Sequence, residues 1–328
     1  MMTKFYRHFT YVALLLLSFQ NTFSQEALPT SPANYAGSFD QPFENAASLA
    51  KQLTAPFQTE SEKAEAIFTW IAHNVRYDCK KFHKQKGPEI RASSKEELER
   101  KIKEFERDEI EKTARYKKGI CEDYSQLFKT MCNAVGIEAE VIHGNARDFH
   151  KPYRSAHNNP HSWNAVKIDG KWHLLDATWA AGYTDDQVRK FTRRVAVGFY
   201  QTPPEWFAQN HFPDDPKWQL LEKPLDKNAF PKQPMLNYGQ TEYALEDFSK
   251  SVANVQGNGY DREIRIKLKN APPYFLMTNR KSKPIKFSHA KEGGYEVFRF
   301  SGRGISDVVI FGGESEHGRQ GWLAQYDL

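Results

Sequence analysis

Cys121, His161 and Asp176 stand in that order along a chain of 328 residues, and their types suit one chemistry, covalent acyl transfer through a thioester. An unassisted thiol is only a few per cent ionised near neutrality, so a neighbouring imidazole must take its proton and later deliver one to the leaving amine. A carboxylate on the far ring nitrogen fixes the tautomer and steadies the imidazolium. A backbone N–H at the start of a helix can supply half of an oxyanion hole.

Local patterns place each of the three. After Lys118-Gly119-Ile120-Cys121, the apolar residues Tyr124, Leu127, Phe128, Met131, Cys132 and Val135 recur three and four apart, which predicts a helix with one buried face. Gly136 is placed to end it. Cys121 then lies in the first turn, where unpaired N–H groups and the macrodipole favour a thiolate. Residues 161 to 179 read as two strands joined by Asp169-Gly170, a dipeptide suited to a type I′ turn. Pairing Ile168 with Lys171 puts Asp176 opposite Trp163 and Thr178 opposite His161. His161 and Asp176 become diagonal neighbours on one face, roughly 7–8 Å apart at the backbone, near enough for the carboxylate to accept the imidazole N–H.

Gly119-Ile120-Cys121, His161-Ser162-Trp163-Asn164 and Asp176-Ala177-Thr178-Trp179 together resemble the core of the transglutaminase-like superfamily of papain-type thiol enzymes. Trp70-Ile71-Ala72-His73-Asn74-Val75-Arg76-Tyr77-Asp78 is similar to the helix and turn that precede the cysteine in that family. Pro204-Glu205-Trp206-Phe207, His211-Phe212-Pro213 and Trp218-Gln219-Leu220-Leu221 are similar to the tail of its kyphoscoliosis peptidase branch. The resemblance implies an α+β fold: a cysteine-bearing helix packed on an antiparallel sheet that carries the histidine and aspartate. It also implies acyl transfer by Cys121, His161 and Asp176. Members of the branch include peptidases, transglutaminases, deamidases and inactive adaptors. Many adaptors have lost the cysteine, whereas all three positions are intact here.

Each residue also has a plainer reading. Cysteine is among the most buried residue types, so Cys121 could be a small core residue beside Cys132, and Cys79 is ambiguous. Trp163 and Trp179 flank the expected cleft as candidate substrate contacts, although aromatic residues on strands usually pack inward. Tyr77 is a candidate second oxyanion donor. His143, His150, His157, His161 and His173 cluster in sequence, but Pro160 lies between His157 and His161 and discourages the helix that would align them. With no paired C-x-x-C, H-E-x-x-H or EF-hand pattern, no metal or other cofactor is expected. Nucleotide chemistry has no P-loop or G-x-G-x-x-G to rest on, and no G-x-S-x-G elbow points to a serine hydrolase.

The ends of the chain suggest where and how it works. Lys4, Arg7 and His8 precede a short apolar run through Leu17, and Thr22 and Ser24 suit a cut before Gln25, so residues 1–24 read as a signal peptide. The expectation is a secreted or periplasmic protein with no lasting membrane anchor. Three cysteines allow at most one disulfide; if Cys79 and Cys132 paired, Cys121 would remain free. Residues 80–118 hold fourteen Lys or Arg and nine Asp or Glu, and Lys95 to about Ala114 should form a charged helix. Ser94 and Glu97 would cap it, and it would dock through Leu98, Ile102 and Phe105. It is either a solvated cover or a basic rim that steers an acidic protein or cell-envelope polymer. Nucleic acid is not an expected partner of an exported protein whose basic run lacks a repeated aromatic interleaving.

The organisation follows. Residues 25–55 form an extended leader and a short helix, 56–225 the catalytic domain and 235–328 a β-rich domain. Thr59 and Glu62 should cap a helix through Asn74, with Ala64, Ile67, Phe68, Ile71 and Val75 buried. Alternating runs at 263–268, 295–300 and 307–312 predict a small antiparallel sandwich with a recognition or packing role. The expected activity is hydrolysis of protein or peptide amides, since no calcium site of the kind some crosslinking enzymes use is visible. The alternatives are transfer to a lysine amine and a binding module that keeps the fold without turnover.

Overall fold

The computed structural model describes residues 31–84, 87, 89–147, 159–238, 243–256, 259–318 and 320–328. The expected signal peptide, His150 and His157 lie outside them. Among the described residues no helix is long and apolar enough to cross a membrane. Ser31 accepts from the Asn34 N–H and Pro32 fills the first turn, so Pro32–Ser38 form helix α1 where an extended leader was expected. Ala36 is fully buried there, which makes this segment part of the core.

Helices α2 (Ala46–Thr54) and α3 (Glu60–Asn74) follow, each with a reciprocal cap, Asn45 with Ser48 and Thr59 with Glu62. All five residues expected on the α3 stripe are buried, and so are Ala66, Thr69, Trp70 and Ala72. The middle of α3 is thus enclosed on more than one side; each large apolar side chain it buries contributes about 1.5–3 kcal/mol. A short strand β1 (Arg76–Tyr77) leads to helix α4 (Cys79–Lys84) and then to the charged helix α5 (Lys95–Tyr116).

Ser94 Oγ caps α5 by accepting from the Glu97 N–H, but Glu97 reaches one residue further back, to Ser93, so the expected box is only half formed. Leu98 and Phe105 are half-buried and Ile102 is exposed; α5 docks further along, where Thr113 and Ala114 are buried and Ile110 packs on the core. Glu111 also accepts from the first N–H of α2. The expected stripe therefore misses the docking end by about one to two turns.

Strand β2 (Lys118–Gly119) pairs in parallel with β1 and delivers the chain to α6 (Cys121–Ala134). Gly136, at φ +81°, ends α6 with the two hydrogen bonds of a Schellman turn, Ile137 N–H to Cys132 O and Gly136 N–H to Asn133 O. Strands β3 (Ala139–Ala146), β4 (Pro160–Ile168) and β5 (Lys171–Leu175) form an antiparallel sheet in the order β5-β4-β3. After β5 come helix α7 (Ala177–Ala181) and a small hairpin, β6 (Gly182–Thr184) with β7 (Phe191–Arg193). Helix α8 (Pro204–Phe207) and strand β8 (His211–Pro213) then make a strap, with β8 pairing along the open edge of β3.

Helices α2, α3 and α6 share one core with the face of the sheet that carries Ala139, Val166, Ile168 and Leu175. Ile142, Trp163, Ala165 and Leu174 form a second cluster with Phe207 of the strap. The remaining strands, β9 (Met235–Leu236), β10 (Leu245–Phe248), β11 (Ala253–Asn254), β12 (Arg262–Leu268), β13 (Tyr274–Thr278), β14 (Phe287–Glu292), β15 (Tyr295–Phe300), β16 (Asp307–Gly313) and β17 (Gln320–Asp327), make two antiparallel sheets. Ile264, Ile266, Phe298 and Phe300 of one sheet meet Met277, Val308, Ile310 and Leu323 of the other in a single core. The fold is α+β with a C-terminal all-β region, and the three alternating runs are strands of it.

The strap lies tight against β3 because Gly144 has no side chain. A Cβ there would stand 2.2 Å from Phe212 O and 2.7 Å from both Pro213 Cα and Trp163 Cη2. Gly144→Ala should therefore push β8 off the sheet and lower the unfolding free energy by about 1–3 kcal/mol in a urea titration. An unchanged midpoint would show that the strap yields freely.

Candidate active site

Cys121 is the first residue of α6 and is partly exposed, as an attacking sulfur must be. Asp123, in the same turn, reaches back to accept the Ile120 N–H at 2.8 Å and so fixes the entry. Its other oxygen pairs with Lys81 at 2.8 Å, and Lys81 pairs in turn with Glu109 at 2.7 Å. Burial pushes the Asp123 carboxyl above its usual range in spite of these partners. The Cys121 N–H, at the helix start, has no intrahelical acceptor.

The register of the hairpin is the expected one, from Ile168–Lys171 to Asn164–Leu175. Beyond Leu175 the two chains part, and Asp176 does not continue the ladder opposite Trp163. Its Oδ1 accepts the N–H groups of Thr178 (2.8 Å) and Trp179 (2.9 Å), capping α7, while its own N–H donates to Phe199 O at 2.9 Å. Satisfying those donors locally outweighs two more rungs of sheet. The turn still carries the carboxylate to its partner: His161 Nε2 lies 2.7 Å from Asp176 Oδ2.

With Nε2 engaged by Asp176, His161 has Nδ1 left for the thiol, and Cys121 is one of the neighbours that favour a charge on the ring. Asn164 ties the two elements together, its Nδ2 donating at 3.0 Å to both Ser125 O in α6 and Glu140 O in β3. Burial opposes a charge on His161, yet the Asp176 charge and hydrogen bond, with Cys121, outweigh it and raise the imidazole pKa. Burial likewise opposes the Asp176 charge, but His161 and then His211 hold the carboxyl well below its usual range. The structure thus brings Cys121, His161 and Asp176 into one chain of contacts.

The other candidate residues divide. Tyr77 lies on β1 beside the cysteine turn, where Asp78 N–H donates to Gly119 O at 2.8 Å. Burial above all, then the nearby Cys121, Cys79, Asp123 and Asp176, keep its phenol protonated, so its O–H can donate. Trp179 is half-buried, its ring centroid 5.6 Å from that of His161. Trp163 is only 1% exposed, which removes it from the cleft surface; it packs against His161, His211 and Phe207. All three cysteines are unpaired and Cys132 is buried, so a Cys79–Cys132 bridge is not formed. His143 is exposed and bonds Glu122 Oε2 at 3.0 Å, and His173 is half-buried on β5.

One residue of the cluster was not singled out as a site from the sequence. His211, on β8, places Nε2 3.1 Å from the same Asp176 Oδ2 that bonds His161. No spacing rule links position 211 to position 176; its only sequence signal is the tail motif in which it stands. Among the described residues, the ligand-type atoms of His161, Asp176 and His211 lie within 4.8 Å of one another. His161 and His211 already share one Asp176 oxygen through hydrogen bonds inside a buried cluster, which fits a positioning network better than a coordination site.

The sequence model of the transglutaminase-like superfamily matches residues 47–177, a stretch that includes Cys121, His161 and Asp176. Human kyphoscoliosis peptidase is 30% identical over 198 residues, 58% of this chain and 27% of its own length. The mouse protein is 27% identical over 252 residues, 75% of this chain and 35% of its own. Residues 47–177 are thus transglutaminase-like, and over more than half of its length the chain is similar to the kyphoscoliosis peptidases. It spans between a quarter and about a third of the length of these relatives. A solved TGase superposes over 54% of this chain and 38% of its own at 17% identity and a TM-score of 0.29, too loose a fit to argue from. The domain has a thiol-enzyme acyl-transfer fold.

The ion pair sets a stability window. Asp176, with its pKa lowered, contributes stability above its unfolded value near pH 3.8, lost as pH falls through the folded value. His161, with its pKa raised, contributes fully below 6.5, and this is lost as pH rises through the folded value. Asp176→Asn should therefore cost most stability between those two limits, about 3–5 kcal/mol for a broken buried pair, and less as pH rises beyond them. Urea unfolding of both proteins across pH reads this; a difference independent of pH would count against the ion pair.

Proposed function

We propose that this protein is a cysteine-dependent acyl-transfer enzyme acting on protein or peptide amides, with water as the usual acceptor. The observation that carries this reading is Cys121 at the first position of α6, a neighbour of an imidazole whose far nitrogen is held by a buried carboxylate. With the thiol proton already held on His161, Cys121 Sγ bonds to the amide carbon, and the Cys121 N–H, with the Tyr77 O–H as second donor, steadies the developing oxyanion. The imidazolium then protonates the departing amine as the C–N bond breaks, leaving a thioester. Water attacks the thioester with His161 as base, the C–S bond breaks and the acid leaves. Throughout, Asp176 keeps the ring oriented.

A signal peptide at residues 1–24 would put this chemistry in an exported protein, with an envelope or extracellular polypeptide as substrate. Transfer to a lysine amine uses the same thioester and differs only in what reaches it. In a peptide-cleavage assay, Cys121→Ala should abolish turnover and His161→Ala should lower kcat about 10²–10⁴-fold. Iodoacetamide should alkylate Cys121 far faster than Cys79 or Cys132, and His161→Ala should remove that advantage. A glutamine-rich protein supplied with a labelled amine should yield fragments; incorporated label would move the reading to transamidation, and neither product with an unreactive thiol would leave a binding module.

A further inference from the structure

We propose that His211 is a positioning residue for the Cys121–His161–Asp176 site, a neutral imidazole that donates its Nε2–H to Asp176 Oδ2 and fixes the carboxylate that orients His161. The proposal rests on the acyl-transfer reading for its consequence in turnover but on geometry for the assignment itself.

Asp176 has no exposed surface, so its four lone-pair directions must be met from within. Two N–H groups of α7 meet Oδ1, and His161 Nε2 meets Oδ2 at 2.7 Å. The fourth donor is His211 Nε2, 3.1 Å from Oδ2. A carboxylate oxygen only accepts, so His211 must carry its proton on Nε2. Its surroundings hold it to that form: the ring is 1% exposed, stacked on Phe207 at 3.9 Å and flanked by Trp179 at 4.6 Å and Trp163 at 5.0 Å. The charged groups that face it are Asp176 and the His161 ring, and a second cation beside His161 would be repelled by it.

Sharing one oxygen between two imidazoles has a directional effect. With Oδ1 held by the two α7 N–H groups but Oδ2 bonded by His161 alone, the Oδ2 end of the carboxylate could still tilt with the ring it is meant to hold. His211 enters from β8 on the strap, a different part of the chain from α7 and β4, and so pins that rotation from a third side. His211 also lies outside the matched superfamily segment, which ends at residue 177. The strap thus supplies a part of the site that this segment does not contain.

His211→Met keeps bulk without a donor, and His211→Gln restores an amide N–H near the Nε2 position. Site-resolved alkylation of Cys121 at pH 7 should slow ~10-fold in the Met variant and recover most of the loss in the Gln variant. In the peptide assay the loss should fall on kcat with KM little changed. In ¹⁵N-histidine spectra of the unaltered protein, His211 should remain one neutral Nε2–H tautomer from pH 5 to 9. A Met variant as reactive as the native protein, or folded Met and Gln variants equally slow, would overturn the proposal. So would a His211 ring that titrates in that range or carries its proton on Nδ1, and this test decides the matter even if the Met variant does not fold. Alkylation and spectra need no substrate, so a protein that turns nothing over would defeat the acyl-transfer reading while leaving His211 to be judged separately.

Discussion

A carboxylate with no exposed surface is the constraint on which the site depends. Removing a charge from water costs several kcal/mol, and the cost is tolerable only where every lone pair finds a donor in good geometry. For Asp176 the donors come from α7, β4 and β8, so three separate parts of the chain must meet at one point. The arrangement is demanding, and it is also what makes the imidazole orientation specific: few other placements of those segments would leave the carboxylate satisfied.

The rest of the transglutaminase-like region holds two elements in register with that point. Tyr124 O–H donates to Val75 O at 2.7 Å, fastening α6 to the end of α3, and Arg193 donates to the same carbonyl and to Ala72 O. Asn164 bridges α6 and β3 from within β4, one residue beyond Trp163 and on the strand that bears His161. These are buried, directional contacts between elements far apart in sequence. Apolar packing alone would bring the helix to the sheet, but it would tolerate a slide along the strand that moves sulfur away from nitrogen.

What could be seen in the sequence was what local rules govern. The caps of α3, the start and end of α6, the Asp169-Gly170 turn and the strand register follow from neighbours within a few residues, and so the pairing of His161 with Asp176 was legible. The route to that pairing was not, because Asp176 leaves the ladder to cap α7, a choice between two local solutions that depends on Phe199 receiving its N–H. By its strand position Trp163 suits cleft or core equally, and the strap residue that covers it, Phe207, is remote in sequence. Helix α1 hid behind a Pro- and Ser-rich composition that also suits a linker, and the docking of α5 depended on where its end meets α2 and α6. Position 211 met Asp176 only through long-range topology, where spacing carries no information.

The β-rich C-terminal region also bears on the site, and more directly than a passive appendage would. Tyr238 packs its ring 5.2 Å from Phe199, whose carbonyl receives the Asp176 N–H and whose ring meets Trp179. Trp206 of the strap stands 5.8 Å from Phe248 in β10, one helix turn and a short loop before His211. Arg147, at the end of β3, donates to the carbonyls of Phe230 and Gln233 in the connection between the two regions. The contacts that fix the far side of Asp176 are therefore backed by aromatic rings and carbonyls that lead into the sandwich. Loosening that interface would be felt at the histidines before it was felt at Cys121, because α6 is anchored independently through Tyr124 and Asn164.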